Sequence, residues 1–324
     1  MNAIVVTQTG GPEVLAYGER AVLEPGPGQL LVDVAAAGVN FIDTYHRTGY
    51  YPRPLPFTPG GELAGTVAAV GEGVTGFAPG DHVATVDSAS GAYAETSLVE
   101  AARAVRVPAG IDLETAAAAM LQGLTAHYLT TSTWPVQKDQ TVLIHAAAGG
   151  MGLLLTQLAK AHGARVIGTV STAQKEAKAR AAGADEIIRY TEVDDLAAQV
   201  RALTGGKGVD VVYDGVGKTT FDASLASLRP RGMEVLFGAS SGPVTEFDPR
   251  RLMTGGSLFL TRPTLGHYIA TPEELAWRSG ELFGAIESGR LTITVGARFP
   301  LSEAGAAHAA LESRSTVGKV LLIP

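Results

Sequence analysis

The chain of 324 residues contains no cysteine, which removes disulfides, thiol nucleophiles and thiolate metal ligands from its chemistry. Charged residues are sparse at 18% and aromatic residues at 6%, against 46% hydrophobic residues. That balance describes a core-rich globular protein rather than a disordered one. Basic charge is scarcer than acidic: the formal net charge is −7, no local cluster of Lys and Arg stands out, and nothing suggests nucleic-acid binding. No apolar run reaches the roughly 18 residues that a membrane span needs. The start, Met1-Asn-Ala-Ile-Val-Val6, reads as a strand without the charged segment of a secretory signal, so a cytoplasmic location is expected. The seven histidines, at 46, 82, 127, 145, 162, 267 and 308, are scattered with no pair at i, i+4. Zinc needs three or four ligands in fixed geometry, and no metal site is expected.

What is present is a glycine-rich turn in the middle of the chain. The apolar run Thr141-Val-Leu-Ile-His145 leads into Ala146-Ala-Ala-Gly-Gly-Met-Gly152, followed by an amphipathic stretch from Leu153 to Ala161. Strand, small residues, then helix is the layout of a dinucleotide-binding turn. There, exposed backbone N–H groups and the helix dipole accommodate a pyrophosphate. Read as G-x-G-x-x-G, the fingerprint lacks its first glycine, because Ala147 stands there. By itself the match is weak. The expected contacts are Ala148, Gly149, Gly150, Met151 and Gly152.

The following residues strengthen it. Strand-like runs at Arg165–Val170, Asp185–Tyr190, Val209–Asp214, Glu234–Gly238 and Ser257–Thr261 alternate with helical patterns at Thr172–Ala182 and Asp194–Leu203. Near-continuous apolar strands separated by helices indicate an α/β domain with a doubly wound parallel sheet. Ligands of such sheets bind beyond the carboxyl ends of the strands, where Gly149–Gly152, Gly215–Gly217 and Phe237–Gly238 fall. An acid about 20 residues past the glycines marks NAD-preferring turns. Here the corresponding segment is Gly168-Thr-Val-Ser-Thr-Ala-Gln-Lys175, with no acid in it. Ser171, Thr172 and Lys175 suit a 2′-phosphate, so NADPH is the expected cofactor.

The N-terminal third differs, with short apolar runs at Gln29–Ala35, Gly65–Val70 and His82–Val86 punctuated by Gly and Pro. This pattern predicts a compact β-rich lobe, joined to the sheet domain by a helical, Ala-rich bridge at 113–132. The last segment reads as a helix, Pro272–Ser288, with strands at Leu291–Phe299 and Lys319–Ile323. Periodicity does not decide which lobe it completes.

Seven motifs in order resemble the quinone oxidoreductase (zeta-crystallin-like) branch of the medium-chain dehydrogenase/reductase superfamily. They are Gly38-Val-Asn-Phe-Ile-Asp-Thr-Tyr45, Pro59-Gly-Gly-Glu62, Gly80-Asp-His-Val83, Ala146–Gly152, Val212-Tyr-Asp-Gly-Val-Gly217, Thr261-Arg-Pro263, and Leu311-Glu-Ser-Arg314 with Gly318-Lys-Val-Leu321. The resemblance implies a GroES-like catalytic lobe from 1–123 and 266–324, and a Rossmann NADPH-binding domain at 124–265. It also implies a homodimer formed through an edge strand, for which Ser257–Thr261 is the candidate. The zinc alcohol dehydrogenase cousins carry ligands where this chain has Asn40 and Gly61, and their four-cysteine structural loop has no counterpart. Zinc-independent hydride delivery to an electron-poor acceptor, a quinone or an enone, is therefore expected.

The resemblance further marks Asn40, Asp43, Tyr45 and Tyr51 as the active-site segment. An amide at Asn40 suits the cofactor or a substrate carbonyl, and a tyrosine hydroxyl suits the developing oxyanion. Asp43 as a helix N-cap and Tyr50-Tyr51-Pro52 as a packing cluster remain alternatives. Tyr190 joins Ser171 and Lys175 in the adenosine subsite, or else packs on the sheet. Gly217, Phe237, Gly238, Thr261 and Arg262 are expected near the nicotinamide, with an interface salt bridge as the other reading of Arg262. Arg314 is expected to contact cofactor or to neutralise helix-end carbonyls. NADPH-dependent quinone reduction is the leading function. Enone reduction and a non-catalytic NADPH-binding role are the alternatives.

Overall fold

The computed structural model describes residues 1–313 and 316–324. The chain forms two units, Met1–Leu124 with Ile269–Pro324, and Thr125–Tyr268. The first begins with β1 (Asn2–Val5), β2 (Ala16–Glu19), β3 (Gln29–Val39), α1 (Phe41–Thr48), β4 (Leu63–Val70), β5 (His82–Thr85), β6 (Thr96–Glu100), β7 (Val105–Arg106) and α2 (Leu113–Tyr128). The second contains β8 (Thr141–Ile144), α3 (Gly150–Ala161), β9 (Arg165–Val170), α4 (Ala173–Ala181) and β10 (Glu186–Arg189). It continues with α5 (Leu196–Leu203), β11 (Val209–Asp214), α6 (Phe221–Ser227), β12 (Leu228–Leu236), α7 (Arg250–Thr254) and β13 (Phe259–Thr261). The chain then returns to the first unit with α8 (Pro272–Glu287), β14 (Val295–Pro300), α9 (Ala304–Glu312) and β15 (Lys319–Ile323).

In the first unit the sheet order is β14-β15-β3-β4-β5-β7, with β6 also paired to β3. The hub is β3, whose alternation buries Leu30, Val32, Val34 and Ala36 while leaving Asp33 exposed. That period of two places one face of the strand on the core. The core collects Ile4, Leu63, Val67, Val83, Tyr93 and Val99 with Leu301, Ala304, Val320 and Leu322 from the tail. Residues of the C-terminal segment, whose place periodicity leaves open, thus share the core of the first unit.

The second unit is a six-stranded sheet in the order β10-β9-β8-β11-β12-β13, with every pairing parallel. Numbered within this unit the order is 3-2-1-4-5-6, the doubly wound arrangement. Its strands are buried on both faces, as in Val142, Leu143 and Ile144 of β8, so they read as unbroken apolar runs. The strand order reverses between β8 and β11, which puts the turns after both strands at the crevice where such sheets take ligands. Several strand bounds depart from expectation: β14 begins at Val295 rather than Leu291, β13 at Phe259 rather than Ser257, and β12 differs most. Strand β12 starts at Leu228 rather than Glu234, because Leu228 pairs with Val209 before an irregularity near Arg231 (φ 61°) restores pairing at Met233. Arg229-Pro-Arg-Gly232 carries no apolar signal to reveal it.

Glu234 stands in the middle of β12, fully buried, and neither carboxylate oxygen has a hydrogen-bond partner. Burial, reinforced by the charge of Asp214, pushes its carboxyl well above the ordinary range. A group whose folded pKa exceeds its unfolded value contributes stability below the unfolded value, and loses it as pH rises through the folded one. Leaving a buried polar group unpaired costs about 1–3 kcal/mol, and each kcal/mol shifts Tm by roughly 2–4 °C in a protein of this size. Glu234→Met is therefore expected to raise Tm by several degrees, more at mildly alkaline than at acidic pH, in a thermal melt series. A lowered Tm would show that the carboxyl supports the fold.

Candidate active and cofactor-binding residues

In the second unit the segment after β8 turns at Ala146 (φ 50°) and enters α3, with Gly149 as N-cap and Gly150 as the first helical residue. A Cβ on Gly152 would lie 2.4 Å from the Ala146 oxygen and 2.6 Å from the Ala147 Cα. Glycine there lets the helix approach the turn, and the N-terminal N–H groups of α3 have no intrahelical acceptors. Ala147 and Ala148 are buried beside it. The cradle fits a pyrophosphate anion.

The turn after β11 is organised by Asp214. Its Oδ1 accepts from the Val216 and Gly217 N–H groups at 2.7 and 2.9 Å. Its Oδ2 accepts from the Thr220 and Ser224 hydroxyls at 2.6 and 2.9 Å. Ser224 also meets His145 Nε2 at 2.9 Å, and His145 Nδ1 meets Thr169 Oγ1 at 3.1 Å. Burial holds His145 below the usual imidazole range, against the opposing charge of Asp214. The chain of contacts ties together the ends of β9, β8 and β11. Gly217 adopts φ 88°, open to glycine, and a Cβ on Gly238 would lie 2.4 Å from the Gly215 oxygen. Phe237 packs against Gly215 from the end of β12.

At the end of β9, Thr172 caps α4 by accepting from the Lys175 N–H, and Ser171 and Lys175 are partly exposed. Tyr190 is exposed beyond β10, with its N–H bonded to the Val170 oxygen. Arg262 Nη1 donates to the Leu236 oxygen at 2.9 Å, which anchors the segment after Thr261 to the end of β12. Arg314 lies outside the described residues.

In the first unit, Asn40 is the N-cap of α1 and is buried. Asp43 sits at N3, not at the cap, and its Oδ2 accepts from the Asn40 N–H at 2.8 Å and from the Tyr93 hydroxyl at 3.0 Å. Burial raises the Asp43 carboxyl to about 6. Tyr93 continues to His308 Nε2 at 3.0 Å, and His308 Nδ1 meets Arg47 Nη1 at 3.0 Å. Arg47 in turn holds Glu312 through two bonds of 3.1 and 2.7 Å. Arginine stays protonated, so His308 Nδ1 accepts from Arg47 and Nε2–H donates to Tyr93. Burial and the Arg47 charge lower His308 to about 3. Because Arg47 cannot release a proton, this path locks the segment rather than conducting protons.

The side chain of Asn40 faces a second buried cluster. Its Nδ2 donates to Glu62 Oε2 at 2.8 Å and to the Gly38 oxygen at 3.3 Å, while Oδ1 accepts from Lys319 Nζ at 2.6 Å. Lys319 is also ion-paired with Glu62 at 2.5 Å, and Glu62 Oε1 accepts from the Leu121 N–H at 2.6 Å. Glu62 and Lys319 belong to motifs visible in the sequence, but nothing there linked them to Asn40; the one available signal is a lysine opening an apolar strand, Lys319-Val-Leu-Leu-Ile323.

Beyond α1, Tyr50 and Tyr51 stack with ring centroids 4.8 Å apart, and Tyr45 meets each edge-on at 5.4 Å. Tyr50 and Tyr51 remain substantially exposed. His46 lies beside Tyr51 and is lowered to about 4 by burial and by Arg53.

Residues 150–276 match the zinc-binding dehydrogenase family, and residues 26–109 match the alcohol dehydrogenase GroES-like domain. A quinone oxidoreductase of Pseudomonas aeruginosa is 49% identical over 316 residues, 97% of each chain. The structure of Escherichia coli quinone oxidoreductase complexed with NADPH superposes with a TM-score of 0.97 or better, namely 0.98, at 47% identity, covering all of both chains. A 2-haloacrylate reductase of a Burkholderia species is 45% identical over 333 residues, 99% of this chain and 98% of its own. The zinc in the first family's description finds no matching donor set. Among the described residues no group of three or more His, Cys, Asp or Glu side chains is arranged to hold a metal ion, and the Lys319 ammonium sits against Asn40 and Glu62. No helix of the described residues is long and apolar enough to cross a membrane.

The two buried titratable groups beside α1 oppose each other. Asp43, raised from 3.8 to about 6, contributes stability below its ordinary pKa and loses it as pH rises through about 6. Neutral His308, lowered from 6.5 to about 3, contributes stability above its ordinary pKa and loses it as pH falls through about 3. Asp43→Asn keeps an acceptor for Asn40 and Tyr93 while removing the first term. Stability measured by urea denaturation is then expected to rise more steeply with pH between about 4 and 6 than in the wild type. An unchanged slope would contradict the burial of an ionising Asp43.

Proposed function

The chain belongs to the zinc-binding dehydrogenase family with a GroES-like domain, in the quinone oxidoreductase branch of the medium-chain dehydrogenase/reductase superfamily, and we propose that it uses NADPH to reduce a quinone without a metal. The observation that carries the reading is the cradle at the strand-order reversal: a tight turn, an α3 N-terminus with free N–H groups, and no acid at the end of β9. When bound, NADPH supplies the hydride.

The protein's part is to hold and orient. Gly150, Met151 and Gly152 receive the pyrophosphate on backbone N–H groups at the start of α3, with Ala148 and Gly149 lining the turn, where the Gly149 N–H is bonded to the Ala146 oxygen. Ser171 and Lys175 take the 2′-phosphate, with Tyr190 beside the adenosine. Gly217, Phe237, Gly238, Thr261 and Arg262 bound the nicotinamide, the last fixed by its bond to Leu236. Asn40 and Tyr51 are the proposed ligand contacts of the first unit. The stacked Tyr50 and Tyr51, braced by Tyr45, offer an aromatic surface suited to a flat acceptor. The Tyr51 hydroxyl donates to the acceptor oxygen as charge develops on it, and the reduced quinone takes its remaining proton from water. Asp43 holds the N-terminus of α1 through the Asn40 N–H and the Tyr93 hydroxyl, in the segment proposed as the active site.

Alkene reduction is the second reading, favoured by the relationship to the Burkholderia enzyme named for 2-haloacrylate. An acrylate, like a quinone, presents a conjugated carbon to hydride. We further propose a cytoplasmic homodimer in which β13, the edge strand of the second unit's sheet, pairs with its counterpart. Phe259 on that strand is 53% exposed, and an unpaired edge invites strand addition.

Steady-state oxidation of NADPH with benzoquinone and with a matched enone tests the function. A higher kcat/KM for benzoquinone supports quinone reduction; turnover of the enone alone transfers the assignment to alkene reduction. In the same assay Lys175→Ala is expected to raise KM for NADPH about tenfold, the scale of one charge-assisted hydrogen bond, and to leave NADH unchanged. Equal losses with both cofactors would remove Lys175 from the phosphate site.

A further inference from the structure

The segment from Asn40 to Phe57 lies within the first unit and carries, besides His46, three acidic or basic side chains: Asp43, Arg47 and Arg53. Two of them are buried and answered. Asp43 accepts from the Asn40 N–H and the Tyr93 hydroxyl, and Arg47 is held by Glu312 and His308. Arg53 is exposed, and among the described residues no carboxylate or carbonyl oxygen accepts from its guanidinium. A solvated arginine needs no partner, so the meaning of this one lies in what surrounds it.

Its guanidinium carbon sits over the Phe57 ring, 5.5 Å from the centroid, a cation–π arrangement. Phe57 exchanges its N–H and its oxygen with Val6 at 3.0 and 2.8 Å, which ties the platform under the cation to the chain just after β1. Prolines at 52, 54 and 56 bracket the arginine. Each fixes its own φ and restricts the residue before it, so Arg53 gives up little backbone freedom when it engages a ligand. Its charge also reaches the aromatic surface beyond α1. Burial first, and then the Arg53 charge, lower His46 to about 4, and the His46 ring lies 6.3 Å from that of Tyr51. Tyr51 stacks on Tyr50 and donates its main-chain N–H to the Tyr45 oxygen at 3.0 Å. With His46 neutral and Arg47 buried, Arg53 is the exposed cation of residues 40–57.

We infer that Arg53 selects acceptors carrying an anionic group, such as a carboxylate, beside the conjugated system, by pairing with that group while the conjugated part lies on Tyr50 and Tyr51. This rests on the proposed use of that surface for the acceptor. A guanidinium suits the role: it is planar, stays protonated, and presents parallel N–H groups that match the two oxygens of a carboxylate. Stacked tyrosines alone accept any flat molecule, and the cation adds the discrimination between charged and uncharged acceptors.

The test uses the full-length protein at saturating NADPH, with kcat/KM measured for a naphthoquinone sulfonate and for the uncharged parent naphthoquinone. The sulfonate is a permanently ionised stand-in for the carboxylate. Arg53→Gln is expected to lower the sulfonate-to-parent ratio about 2–5-fold, the scale of one exposed ion pair. Arg53→Lys keeps the charge and is expected to lose less, and Arg53→Glu reverses it and is expected to lose more. Added salt is expected to lower the wild-type ratio and to leave that of Arg53→Gln in place, because exposed pairs are screened. A ratio unmoved in Arg53→Gln would overturn the inference. So would equal losses on both quinones, the result of an arginine that only supports its loop. A wild-type protein that oxidises NADPH with neither quinone refutes the proposed function and this inference with it, whereas turnover of both with an unmoved ratio refutes the inference only.

Discussion

A carboxylate withdrawn from water must be surrounded by donors, and in the first unit that requirement converges on Glu62. Its two oxygens gather the main chain of α2 at Leu121, the cap of α1 at Asn40, and the start of β15 at Lys319. Three segments far apart in sequence are held at one point. The N-terminus of α1 is fixed from its other side by Asp43, which reaches through Tyr93 and His308 to Arg47 and Glu312. The segment Asn40–Tyr51 thus begins on two buried polar clusters and ends in exposed tyrosines. Rigid at its root and open at its tip, it suits a segment that must present side chains to small molecules.

The second unit solves a related problem with Asp214. Four donors saturate that carboxylate and shape the turn at 215–217, while Ser224, His145 and Thr169 extend the contacts to neighbouring strand ends. The loops proposed to hold the cofactor leave from those strand ends. Glu234, one strand away, shows the opposite case: a buried carboxyl with no donor at all, which keeps its proton.

Much of this architecture was legible from local pattern. The parallel strands of the second unit are buried on both faces and read as apolar runs, and the turn at Ala146–Gly152 announces itself through small residues between strand and helix. Alternation along β3 and the Gly/Pro punctuation around it indicated a β-rich lobe. What escaped was set by distance along the chain. Lys319 bonds Glu62 across 257 residues, and Arg47 meets His308 across 261. No periodicity encodes such pairings, and each residue alone reads as an ordinary surface charge. Asn40 and Asp43 were recognisable as a site segment through resemblance. That the Asn40 amide has no donor left could only come from seeing Glu62 and Gly38 against it. The start of β12 was hidden for another reason, since a bulge through Arg229–Gly232 carries no strand-like residues.

These features join in one chemical account. Among the described residues no group of three or more His, Cys, Asp or Glu side chains is arranged to hold a metal ion, and the Lys319 ammonium sits against Asn40 and Glu62. The chemistry proposed is hydride delivery to an electron-poor acceptor, positioned by hydrogen bonds and aromatic surfaces. The most direct measurement is the rate of NADPH oxidation by benzoquinone before and after exhaustive dialysis of the protein against a metal chelator. The account predicts turnover that dialysis does not change. Absence of turnover, or turnover lost on dialysis and restored by zinc, would contradict it.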